Sequence, residues 1–170
     1  MSWATGPAAD LVVDLTDALS AALSNGLFAD HRPDGAALTS HRLVHHDQNL
    51  WLIPRYAPGP SAVSTRLPAL VRDVALSASH PADPVLYWLA HTARQRAWRA
   101  LARLPGPGPV VRVARVNAAQ CRLAVGFIGH PGRAVPAGIV ARLDRAFDDH
   151  ALRQDAAWAN RHAGHPARRP

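Results

Sequence analysis

Two runs of alternating proline and glycine, Ala57-Pro58-Gly59-Pro60-Ser61 and Pro105-Gly106-Pro107-Gly108-Pro109, bracket the longest periodic stretch of this chain. Proline lacks a backbone donor and clashes with the preceding turn, so neither a helix nor a central strand passes through such a run. Between the two, Asp83-Pro84 has the form of a helix start, an N-cap acid followed by proline at the first helical position. Val85, Leu86, Leu89, Ala93, Ala97, Trp98 and Leu101 then recur at helical spacing, which predicts about five turns from Pro84 to Arg103.

The flanking pieces are predicted around this helix. Leu11, Val12, Leu15, Leu19, Ala22 and Leu23 mark a first helix over Asp10 to Ser24, with Asn25-Gly26 as its left-handed stop. From Leu38 to His45 and from Leu50 to Tyr56 the period falls towards two, with His46-Asp47-Gln48-Asn49 as the turn of an antiparallel hairpin. Leu67 to Ala78 fits either a helix or a third strand and stays open. After the second breaker, Val110 to Val116 and the alternating Cys121, Leu123, Val125 and Phe127 predict a second hairpin. Ile139, Val140, Leu143, Phe147 and Ala151 mark a last helix. The expected architecture is α+β: an antiparallel sheet of four or five strands packed against a long central helix, with N- and C-terminal helices. The expected organisation is one domain over 1–163 and a flexible tail over 164–170.

Composition narrows the classes of function. All 19 basic residues are Arg and all 12 acids are Asp. Such a bias is what a GC-rich genome writes, so the formal net charge of +7 carries little weight as a nucleic-acid signal. Its distribution says more. Residues 1–50 hold six Asp against two Arg, net −4, whereas residues 51–135 hold eleven Arg against two Asp, net +9. An acidic first segment and a basic middle suit electrostatic docking, onto another protein or onto a second copy. No apolar run approaches the roughly 20 residues a bilayer needs, and the first basic residue is Arg32, so neither a membrane span nor a charged leader is expected. The single Cys121 has no internal partner. Both features lead us to expect the cytoplasm.

The order α, two or three β, α, β, β, α is similar to the type III secretion chaperone-like fold. The likeness is carried by Asp83-Pro84-Val85-Leu86-Tyr87-Trp88-Leu89, by the strand Arg122 to Phe127 and by the late helix with Leu143. A roadblock-like arrangement resembles it nearly as well. Either resemblance implies a non-catalytic module that binds another polypeptide, often as a homodimer. Locally, His130-Pro131-Gly132-Arg133 with Pro136 and Gly138 resembles the histidine loop of hotdog acyl-carrier dehydratases, which implies His130 as a general base; the aromatic between histidine and proline is absent.

Chemistry-bearing residues are few. His41, His45, His46 and Asp47 form the densest polar cluster. His41 and His45 share a strand face and are the candidate metal ligands; His46, Asp47 and His130 are the candidate catalytic residues of a small enzyme or cyclase-like accessory protein of specialised metabolism, acting on a carrier-bound or hydrophobic substrate. The plainer reading places these histidines at a polar turn. Cys121 alternates with apolar residues and reads as a buried, inert thiol. Neither GxGxxG nor GxxxxGK occurs, and no cofactor is expected. Asp residues inside helices read as solvated charges. Arg94, Arg96, Arg99 and Arg103 are the candidate partner-binding residues, facing an acidic protein surface such as that of an acyl carrier protein. Nucleic acid comes third, since no helix-turn-helix, zinc-finger or RRM signature accompanies them. The resulting expectation is a protein-binding, chaperone-like or regulatory module without catalytic activity, forming a homodimer.

Overall fold

The computed structural model describes residues 12–55, 67–76, 82–129 and 136–163. In chain order the elements are β1 Val12–Asp14, α1 Thr16–Asn25, β2 Leu27–Ala29, β3 His41–His46, β4 Asn49–Pro54, β5 Pro68–Ala75, α2 Ala82–Ala100, β6 Gly108–Asn117, β7 Gln120–Ile128, α3 Ile139–Ala146 and α4 Asp149–Ala163. The strands form one seven-stranded antiparallel sheet in the order β1-β5-β7-β6-β4-β3-β2. The fold is thus α+β, with the long helix against an antiparallel sheet. The expected four or five strands are exceeded because three-residue strands lie along both edges, too short to show any period in the sequence.

Both sheet faces are covered, and this explains most of the strand patterns. On one face α1 packs Leu15, Leu19 and Ala22 against Val44, Trp51, Ile53, Ala69, Val71, Val110 and Ala124. On the other, α2, α3 and α4 pack against Leu43, Leu50, Leu52, Leu70, Val74, Val111, Val113, Cys121, Leu123 and Val125. Ala90, Ala93 and Ala97 are fully buried on α2, and such small side chains let neighbouring backbones approach. A strand apolar on both faces reads as a continuous run, and β5 is the clearest case. Leu70 and Val74 serve one core while Ala69 and Val71 serve the other, so Leu67 to Ala75 shows no alternation although it is a strand.

Three boundaries differ from expectation. Val12–Asp14 does not open the first helix but pairs with β5, and α1 starts at Thr16; Asp10 and Leu11 lie outside the described residues. Asp14 makes the corner, its carboxylate accepting the Thr16 N–H at 3.0 Å and the Leu67 N–H at 3.2 Å. Gly26 ends α1 in extended rather than left-handed backbone, with φ −73°. Glycine is needed there for another reason: a Cβ would run into the Ala22 carbonyl oxygen and the Val44 side chain. The late helix is two, α3 and α4, breaking at Phe147, which is fully buried. The turn between β3 and β4 holds Asp47 and Gln48 at φ 51° and 61°, the paired left-handed residues of a two-residue hairpin.

Candidate functional site

The histidine hairpin divides its side chains between two places. Along β3 the side chains alternate, so His41, Leu43 and His45 face the α2 side, and Val44 and His46 the other. His41 pairs with Pro54 at one end of the strand and His45 with Leu50 near the other. Four residue steps along the strand, with Arg42, Leu43 and Val44 between, set their Cα atoms ~13 Å apart. Among the described residues no group of three His, Cys, Asp or Glu side chains is placed to hold a metal. His130 lies outside the described residues.

His45, His46 and Asp47 line a surface groove of about 400 Å³ together with Leu27, Leu50, Leu86 and Arg115. Its wall is β2, the last strand of the sheet, whose outer edge pairs with no other described strand. Leu27 is 75% exposed and Phe28 48%. The Arg42 guanidinium lies 5.8 Å from the Phe28 ring centre, a cation resting on an exposed aromatic.

The four arginines do not form one surface: α2 ends at Ala100, short of the expected Arg103, so Arg94, Arg96 and Arg99 lie on the helix and Arg103 in the turn beyond it. At 3.6 residues per turn, Arg94 and Arg96 point about 200° apart. Arg96 turns to α4, where its Nε–H and one Nη–H donate to the two carboxylate oxygens of Asp155, each at 2.8 Å. Asp155 is 5% exposed, which corrects the expectation that helical aspartates are solvated. The pair raises the Arg96 guanidinium above its ordinary value. Arg99 and Arg103 are exposed. Trp98, placed in the apolar stripe by spacing, is half exposed and lies over Gly108 instead.

Arg94 joins a second group around His41. It donates to the Ser40 hydroxyl at 3.1 Å, and that hydroxyl lies 3.1 Å from His41 Nδ1. The His41 and His91 ring centres are 6.3 Å apart, and His91 stacks on Tyr87 at 6.0 Å and on Trp158 at 6.4 Å. Arg32, paired with Asp34 at 2.6 Å, lies over Trp88. Burial first, and then the charges of Arg94, His91, Arg32 and Arg55, bring His41 down to about 4. Burial raises Tyr87 to about 12 and lowers His91. His41 Nε2, Tyr87 Oη and His91 Nδ1 are all buried without a hydrogen-bond partner. The sequence carried a signal for this group that reading for apolar period alone passes over: Tyr87, His91 and Arg94 stand at i, i+4 and i+7, a polar stripe along one helix face.

Cys121 is fully buried, and burial pushes its thiol up to about 12, far from a reactive thiolate. Among the described residues no helix is long and apolar enough to cross a membrane. Comparison with protein-family models, curated proteins and solved structures gives no match to this chain.

Proposed function

We propose that this chain is a non-catalytic binding module that takes an extended segment of another protein as an added strand along β2. One observation carries the reading: among the described residues the sheet ends in an apolar strand with no outer neighbour, beside a groove lined by Leu27, Leu50 and Leu86. Soluble proteins blunt free edges with charge, proline or covering loops because an unpaired edge templates another strand. Here Leu27 and Phe28 stand exposed instead. Strand addition satisfies the edge by main-chain hydrogen bonds, and a groove beside it selects alternate side chains. Arg115 in the groove, and Arg42 over Phe28 on the opposite face of the edge, favour a segment that carries acidic as well as apolar residues.

Selection from a random peptide display library on the full chain tests this. Sequences carrying acidic as well as apolar residues are expected. Leu27→Asp weakens the selected peptides by about tenfold or more, since a buried anchor carries at least that much binding energy. Because Leu27 is 75% exposed, the variant keeps the wild-type melting curve. Peptides that bind wild type and variant equally overturn the proposal. So does a concentration-dependent dimer abolished by the same substitution, which assigns the edge to a second copy.

A further inference from the structure

We propose that the His41, Tyr87, His91 and Arg94 group is a binding site for a small oxyanion, a carboxylate or a phosphate, independent of the β2 edge. Three unpartnered buried polar atoms in one cluster carry the argument: His41 Nε2, Tyr87 Oη and His91 Nδ1. The residues behind two of them are almost wholly enclosed, His41 being 5% exposed and Tyr87 1%. Leaving a buried donor or acceptor unmade costs about 1–3 kcal/mol per group, so three together in a folded chain point to a partner that arrives from outside.

The charge around these atoms selects the partner. Asp34 acts on Tyr87 and His91, and its carboxylate is occupied by Arg32 at two positions, 3.0 and 2.6 Å; Asp30 lines the cavity beside His41 and Arg55. Arg94 has only the neutral Ser40 hydroxyl, and Arg55 donates to the Leu38 carbonyl oxygen at 2.7 Å. Among the described residues, neither of these two guanidinium groups is ion-paired to a carboxylate. A cation would meet repulsion there, and a neutral ligand would leave the guanidinium groups uncompensated. An oxyanion accepts from Arg94 and from the Tyr87 hydroxyl. The Ser40 contact extends this to His41. With the Ser40 oxygen already accepting from Arg94, its own proton is free to go to His41 Nδ1, which leaves Nε2 as the protonated, donating nitrogen. Aromatic rings of Trp88 and Trp158 pack against His91 on the α4 side. Partial burial strengthens each of these bonds.

The test is titration of the full chain with inorganic phosphate, with acetate and with zinc chloride, followed through the imidazole NMR signals of His41 and His91. Saturable shifts with phosphate or acetate are expected, and the tighter of the two identifies the oxyanion. Arg94→Gln weakens that binding by about tenfold, the worth of one charge-assisted hydrogen bond. Tyr87→Phe, which removes only the hydroxyl and keeps the packed ring, weakens it several-fold while retaining the wild-type circular dichroism. Shifts that never saturate, or that persist unchanged in Arg94→Gln, overturn the proposal, because screening alone then accounts for them. Saturation by zinc with no response to either anion overturns it as well.

Discussion

Arg96→Met is expected to destabilise the folded chain by about 3 kcal/mol, the cost of removing one partner of a buried ion pair. The methionine fills the space of the arginine stem, but Asp155 keeps a carboxylate that is 5% exposed and has lost its two hydrogen bonds at 2.8 Å. For a domain of this size that is a fall of roughly 6–12 °C in melting temperature. The double variant Arg96→Met with Asp155→Leu recovers most of the loss, since an apolar pair of similar volume often replaces a buried ion pair at little cost. Arg99→Met and Arg103→Met, on exposed positions, change stability by no more than about 0.5 kcal/mol. Thermal melts of the four variants decide the matter. An Arg96→Met as mild as Arg99→Met contradicts the view that Arg96 ties α2 to α4 rather than waiting for a partner.

Acid is expected to unfold this chain through His41. Its pKa falls from 6.5 to about 4 on folding, chiefly by burial and then by Arg94, His91, Arg32 and Arg55, which surround it. Between these values the unfolded chain binds a proton that the folded chain refuses, so stability rises with pH across that window. The contribution is fully present above pH 6.5 and is lost as pH falls towards 4, at up to about 1.4 kcal/mol per pH unit and about 2–3 kcal/mol in all. His91, lowered for the same reasons, acts in the same direction. Urea unfolding of wild type and His41→Gln above pH 6.5 and near pH 4 measures it: the variant loses less stability on acidification. Equal losses in both proteins assign the acid sensitivity to other groups.

How far the sequence discloses this molecule depends on what each segment faces. The turn at Asp47-Gln48, the β7 alternation and α2 were legible because each has one dominant local cause: a left-handed pair, a regular period, a proline-bounded stripe. Segment 67–76 was not, because both faces of β5 are buried and the period-two signal vanishes. Val12–Asp14 extended a helical pattern by coincidence of Leu15 and Leu19 with Val12, and pairing with β5 overrode it. At the candidate sites the residue types were visible, but their grouping was not. Sequence neighbours His41 and His45 part to opposite ends of a strand, while His41 meets His91 and Arg94 across the gap between sheet and helix. Nor does helical spacing alone show that Arg96 is spent on Asp155, 59 residues away. Such long-range pairings are set by how α4 packs on α2, which no local pattern encodes.

The most direct measurement is amide hydrogen exchange of the full chain with and without a peptide selected on it. Added-strand docking predicts that, within Leu27–Ala29, the amides whose N–H points away from β3 slow their exchange by at least about tenfold on peptide binding, with little change on α2, because the free edge gains hydrogen bonds. Protection that falls on Arg99 at the end of α2 and on Arg103 just beyond it, and leaves Leu27–Ala29 exchanging as before, would contradict it.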